Sequence, residues 1–340
     1  MSRAPTIAAV NALSYAREIK ELFLAHERPE FPDFFDRAYP PAFADGATSW
    51  LGHDQEGRLA MHIACLPHRF RFAGRDVVGG LLANLMVTKA YRSFFPALAL
   101  VNRLVRDSKA RGIIDFLYAD PNEESRALLC GTRFVRVGTL RRYVLPVADR
   151  RPAVNLGIRL FHTLVRATSG GPRRAKVVPH PAARFGAETF WVPPEDSARL
   201  TAHHDQALYV SRLPGYPGDR DWWLTCHRDG GSGPADAALL VRGPDASGLA
   251  GLHAVRWATH PHLPLTSVLP GLVAELRRHG CERLDLMAVA ESDLGRTLRR
   301  CGFIPRSDAV PLFALALTRL GEECMHSVKH WEITHLDCDR

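Results

Sequence analysis

The hydrophobic pattern changes period several times along the chain, and each change predicts an element. Tyr15, Ile19, Leu22 and Phe23, continued by His26, form one stripe of a helix over Leu13 to His26, closed by Pro29 and Pro32. Phe31 to Phe43 mixes aromatics with Pro40-Pro41 and reads as an irregular, packed connection. From Ser49 the period falls to two, giving strands over Trp50 to His53, Arg58 to Pro67, Arg69 to Phe72 and Asp76 to Val87. Asp54-Gln55-Glu56-Gly57 and Ala73-Gly74-Arg75 supply hairpin turns. After a turn at Thr88 to Phe95, Ala97, Val101, Leu104, Val105 and Ser108 mark the inner face of a helix over Pro96 to Arg111, with Arg103, Arg106 and Lys109 off that stripe. Pro96 suits a first helical turn and Gly112 a left-handed cap. A strand over Ile113 to Ala119, a short helix from Pro121-Asn122 to Phe134, and strands over Val135 to Val137 and Leu140 to Pro146 complete the first half.

Composition then shifts. Asp149 to Pro181 holds one short helical pattern, Leu156 to Val165, among Gly170-Gly171-Pro172 and Pro179-His180-Pro181, so a linker over 151–181 is expected to separate domains at 1–150 and 182–340. The second half repeats the first. Pro264 and Gly280 bracket a helix as Pro96 and Gly112 do, and Leu269, Leu272 and Val273 stand at the places of Val101, Leu104 and Val105. Glu291 to Phe303 matches Asn122 to Phe134 in length, and Leu312 to Leu317 parallels Leu140 to Val144. The pattern predicts an α/β (α+β) protein of two tandem modules, each a mixed, mostly antiparallel sheet flanked by helices.

At 340 residues and 46% hydrophobic content the chain can bury ample cores. No run approaches the roughly 20 apolar residues of a membrane span, and the first residues lack the apolar core of a signal peptide, so a cytoplasmic protein with no membrane partner is expected. Seven scattered cysteines form neither a disulfide framework nor a zinc ribbon. Cys324, His326, His330, His335 and Cys338 crowd together but fit no ligand pattern, and no metal is expected. Lysine plus arginine exceed aspartate plus glutamate by 44 − 36 = 8, which favours phosphate-bearing partners without choosing among coenzymes, nucleotide sugars and RNA.

Candidate chemistry gathers on the first half. His62 alternates with Met61 and Ile63 on a strand, and Asp120 and Tyr118 lie at a strand end; each is a candidate acid or base. The segment Asn84-Leu85-Met86-Val87, then Tyr91-Arg92-Ser93-Phe94-Phe95-Pro96-Ala97, then Tyr118-Ala119-Asp120-Pro121-Asn122, and finally Arg133-Phe134, resembles the GNAT N-acyltransferases. Arg299-Arg300-Cys301-Gly302-Phe303 looks like part of a second, degenerate GNAT module. The resemblance implies a carrier site: the pantetheine arm of an acyl-coenzyme A along Leu85, Met86 and Val87, and its pyrophosphate on the turn and helix start at Arg92, Ser93, Phe94, Phe95 and Ala97. It also implies that Asn122 and Ser125 contact the carrier below the second strand.

The pattern departs from the family at three places. Phe95 stands where the family has glycine, Pro96 removes an amide donor, and Leu129, with Leu298 in the second copy, replaces the family's tyrosine acid. His260-Pro261-His262-Leu263-Pro264 offers no cradle in the second copy. The resemblance implies transfer of an acyl group, acetyl first, from acyl-coenzyme A to the amine of a small molecule such as an amino sugar or another biosynthetic intermediate. Two alternatives stay open: a Fem-like transferase using aminoacyl-tRNA, in which tRNA is the partner, and a non-catalytic GNAT-like binding protein.

Overall fold

The computed structural model describes residues 5–44, 46–149, 151–168, 176–184, 199–202, 209–210, 212–213, 215–227, 237–243, 252–259 and 265–333. Their strands are β1 (Thr6–Val10), β2 (Thr48–His53), β3 (Leu59–Phe72), β4 (Arg75–Val87), β5 (Phe116–Ala119), β6 (Val135–Pro146), β7 (Lys176–Pro181), β8 (Leu200–Ala202), β9 (Asp221–His227), β10 (Ala237–Arg242), β11 (Leu252–Thr259), β12 (Arg283–Val289), β13 (Ile304–Ala316) and β14 (Trp331–Glu332). The helices are α1 (Ala16–Leu24), α2 (Phe31–Ala44), α3 (Phe94–Arg111), α4 (Glu123–Cys130), α5 (Pro152–Thr168), α6 (Leu265–Arg278), α7 (Asp293–Arg300) and α8 (Arg319–His326).

These strands make one mixed, mostly antiparallel sheet of 14 strands, in the order β1-β2-β3-β4-β5-β13-β6-β12-β11-β10-β9-β7, with β8 and β14 attached at the side. The order reads the same outward from its middle. On one side lie the parallel pair β5 and β4 and then antiparallel β3 and β2; on the other lie the parallel pair β12 and β11 and then antiparallel β10 and β9. The strand that closes each half pairs with the other half: β13 lies against β5, and β6 lies against β12. Both halves therefore share one sheet, where the sequence pattern alone suggests one for each.

Helices cover both faces. On the N-terminal half, α1 and α2 pack one face with Ile19, Phe23, Phe35, Leu81, Phe116 and Tyr118. The other face carries α3 and α4 over Leu82, Leu100, Val101, Leu104, Leu117 and Leu129. Strand alternation divides neighbours such as Leu81 and Leu82 between these two cores.

Several elements differ from the pattern-based expectation. Phe31–Ala44 is a helix despite Pro40 and Pro41, because Phe31, Phe35, Ala38 and Tyr39 fall at i, i+4, i+7 and i+8 and are all buried against the sheet. The strands expected at 58–67 and 69–72 are one strand, β3, and the two closing strands expected at 135–146 are one, β6. Helix α3 begins at Phe94, which leaves Pro96 third in the first turn, where no helical partner for its amide is lost. Gly112 takes φ +68° at the C-cap, as its position suggests. The end of the expected linker, Pro179-His180-Pro181, lies in β7, the sheet's outer edge, where a missing amide donor costs no ladder bond.

Candidate functional site

The parallel pair β4–β5 is joined by three rungs, Gly79↔Phe116, Gly80↔Leu117 and Leu81↔Tyr118. At this joined end the strands are held close by glycine: a Cβ on Gly80 would come within 2.5 Å of Cys65 Sγ, and one on Gly79 within 2.7 Å of the Phe116 and Phe70 rings. Beyond Leu81, β4 keeps β3 as its partner and β5 keeps β13, and no rung joins them among the described residues. Pairing between the two strands thus stops after a short shared base, one residue before β5 ends at Ala119, while β4 runs on through Val87.

A bulge lies just beyond the last of these rungs. The β3–β4 register steps from His62↔Met86 to Ala64↔Ala83, so Asn84 and Leu85 together oppose the single residue Ile63. Asn84 takes φ +56°, a left-handed conformation that asparagine tolerates better than most residues. Four side chains hold it there. His62 Nδ1 bonds the Asn84 carbonyl at 2.8 Å, Ser49 Oγ lies 3.2 Å and Tyr39 OH 3.5 Å from His62 Nε2, and Asn84 Nδ2 donates to Tyr39 OH at 3.1 Å. Since a carbonyl only accepts, His62 carries its proton on Nδ1. Complete burial pushes the pKa of His62 down to about 4, so the ring is neutral at physiological pH. His62, a candidate base by its place on the strand, is an enclosed ring bound to the bulge, covered by Phe23 of α1 and Tyr39 of α2.

The other candidates distribute as follows. Arg92 and Ser93 are exposed on the turn ahead of α3, and Ser93 is the N-cap but makes no side-chain cap bond. No acidic residue occupies the first turn of α3, and Phe95 is 77% exposed. The Phe94 side chain is outside the described set, and Ala97 is partly buried in the α3 core. Asn122 caps α4, its Oδ1 accepting from the Ser125 amide at 2.8 Å. Asp120 is half-buried at the end of β5, and Leu129 is buried and apolar. Tyr118 turns away from α3 and α4, into the core under α1 and α2. There its hydroxyl meets His68 Nδ1, while Arg212 donates to His68 Nε2 at 2.7 Å. Tyr118, a candidate acid or base by its place at a strand end, is therefore enclosed in the core.

The C-terminal half has the same skeleton with different backing. Strands β11 and β12 share three parallel rungs, from Leu252↔Leu284 to Ala254↔Leu286. The β10–β11 register steps from Leu240↔Arg256 to Val241↔Ala254, again inserting one residue in the first strand of the pair. Ser292 caps α7 through Gly295 as Asn122 caps α4. Leu240 and Val241, the β10 residues flanking this step, are buried and apolar where β3 has His62. His260 to Pro264 lies outside the described residues. Among those described, no group of three or more His, Cys, Asp or Glu could hold a metal; His335 and Cys338 fall outside them.

Tyr39, Ser49 and Asn84 were not singled out as site residues by sequence reasoning. Asn84 did carry a signal, a polar residue interrupting an apolar strand, which fits a bulge that needs a positive φ.

No protein-family model matches the chain, and no curated protein matches it. Solved structures do. A conserved protein of unknown function from Enterococcus faecalis, described as a probable N-acyltransferase, aligns with a TM-score of 0.63 at 9% identity over 94% of this chain and 74% of its own. A GCN5-related N-acetyltransferase from Anabaena variabilis gives 0.60 at 11% identity, over 93% of this chain and 74% of its own. One from Kribbella flavida gives 0.57 at 12%, over 92% and 71%. At such identities the likeness establishes the fold, which is that of the GCN5-related N-acetyltransferases.

Proposed function

We propose that the chain is an N-acyltransferase that moves an acyl group from an acyl-coenzyme A, acetyl-coenzyme A foremost, to the amine of a small molecule such as an amino sugar or another biosynthetic intermediate. The observation that carries this reading is that β4 runs on past its three rungs with β5 directly into the held bulge at Asn84. A pantetheine arm laid along Leu85, Met86 and Val87 would pair with β4 in place of a neighbouring strand. Its pyrophosphate would meet the start of α3, where the helix dipole favours an anion and Arg92 is exposed beside the first amides. Pro96 supplies no amide there, so the anion relies on Arg92 and on the amides of Phe94 and Phe95.

In this reading the amine nitrogen attacks the thioester carbon. A C–N bond forms, the C–S bond breaks, the amine gives up a proton and the thiolate takes one. Asp120, at the end of β5, is the base, acting directly or through water. His62 is a positioning residue that fixes the Asn84 carbonyl and with it the bulge. Leu129 cannot give a proton, so the thiolate takes its proton from solvent. We read the two halves, 1–150 and 182–340, as modules of which only the first carries a donor site.

A second reading keeps the fold and makes aminoacyl-tRNA the donor; the excess of basic residues favours it. Two experiments separate them. Calorimetry with acetyl-coenzyme A should show binding, and coenzyme A release with a panel of small amines should fall about 100-fold in Asp120→Asn. No binding at millimolar acetyl-coenzyme A, with tRNA binding that weakens steeply as salt rises, would favour the second reading. Neither ligand binding would leave the non-catalytic alternative.

A further inference from the structure

Helix α5 presents most of its apolar side chains to solvent. Leu156, Leu160 and Leu164 are 59%, 57% and 65% exposed at i, i+4 and i+8, and Phe161 and Val154, each 37% exposed, lie between this stripe and the docked side. The opposite side faces the protein. His162 Nε2 bonds the Pro146 carbonyl at 2.8 Å, and Asn155, Ile158 and His162 are the partly covered positions. The leucine stripe is thus directed outward by the contact that docks the helix. Arg159 is exposed on the flank of the stripe.

The sequence around α5 is strongly basic. From Arg150 to Gly186 the sequence contains eight Lys or Arg and no Asp or Glu, leaving 36 basic against 36 acidic residues in the rest. The whole formal excess of +8 therefore sits in the stretch that contains α5. Arg151 is held by Asp149 just outside it, through Nε at 3.0 Å.

We infer that α5 is an interfacial helix that seats the protein on an anionic lipid bilayer. Such a surface answers both features at once, taking the leucine stripe into the headgroup boundary with Arg159 on its flank and attracting a strongly basic stretch of chain. A second copy of the chain would cover the stripe but would bring two strongly cationic segments together. Nucleic acid would answer the charge and leave the leucines in water. No helix among the described residues is long and apolar enough to cross a membrane, and this mode of attachment needs none. The expectation of no membrane partner rested on the lack of a spanning run, which does not bear on an interfacial helix.

The test is flotation of the full chain with vesicles of phosphatidylcholine containing roughly one-quarter phosphatidylglycerol, against phosphatidylcholine alone. The chain should float with the anionic vesicles at low salt and stay behind with the neutral ones. Leu156→Ser/Leu160→Ser should lower partitioning about tenfold or more with unchanged circular dichroism and thermal midpoint, since both side chains are exposed. Arg159→Glu should lower it about fivefold. The inference is overturned if the chain does not float with anionic vesicles, or if the double serine variant floats as well as the parent. It is equally overturned if light scattering shows a micromolar dimer that the serine variant dissociates. None of these outcomes depends on acyl transfer.

Discussion

Beside the bulge in β4 lie a histidine, a tyrosine and a serine; beside the matching step in β11 lie a leucine and a valine. Both halves build a short parallel pair, insert one residue in its first strand and cap the following helix with a polar side chain. An apolar backing is evidently enough to form that skeleton. The polar backing of the first half adds something the skeleton does not require. It fixes the direction of one backbone carbonyl, at Asn84, through a neutral ring that must itself be satisfied at both nitrogens. Buried polar groups stabilise less than well-packed apolar ones unless every bond is made. Among the described residues such a polar backing is seen beside the β4 bulge, where the proposed carrier arm would pair, and not beside the β11 step.

The sharpest way to break this contrast is to exchange the character of the two backings. His62→Leu removes the donor to the Asn84 carbonyl and should cost about 3 kcal/mol of stability, while weakening acetyl-coenzyme A binding tenfold or more. Leu240→Ala should cost a similar amount, about 3 kcal/mol, through the cavity it leaves, with acetyl-coenzyme A affinity unchanged. Denaturant unfolding and calorimetry on both variants decide it: equal loss of affinity in the two would erase the distinction between the halves.

Acid should act on the first half in the same way. The pKa of His62 is about 4 in the folded chain against 6.5 for an ordinary histidine. As pH falls below 6.5 the unfolded chain takes up this proton first, so stability drains until pH reaches about 4 and is unaffected by this group above 6.5. The loss approaches about 3 kcal/mol over that window, and the difference should vanish in His62→Leu when unfolding is followed against pH.

Smaller effects sharpen the comparison. Arg92→Ala should leave stability within about 0.5 kcal/mol and weaken acetyl-coenzyme A about tenfold, because the side chain is exposed and its proposed partner is the carrier's phosphate. Asn122→Ala and Ser292→Ala each remove one helix cap and should each cost about 1 kcal/mol in thermal or chemical unfolding. If Asn122 also meets the carrier, only the first of these two will weaken binding.

The pattern of the sequence carried the strand–turn–helix–strand unit at 81–134 closely, because its period changes are clean and Gly112 marks its own cap. It failed at α2, where two prolines outweighed a buried aromatic stripe that only the sheet beneath makes decisive. That failure also hid the network around Asn84, since Tyr39 reaches His62 across 23 residues from the helix that was not expected. The exchanged closing strands could not be read either. Both β6 and β13 are antiparallel strands that mix apolar and charged residues, and nothing local in either specifies which parallel pair it joins. His62 was legible as a residue of interest; its role was not, because alternation along β3 gives the face but not what covers it.

The stoichiometry of acetyl-coenzyme A binding, measured by titration calorimetry on the full chain, tests the difference between the halves most directly. One site per chain is expected, lost or greatly weakened in Arg92→Ala and retained in Leu240→Ala. Two sites per chain would show that the apolar-backed half binds the carrier as well, and no binding at millimolar ligand would remove the donor site from both.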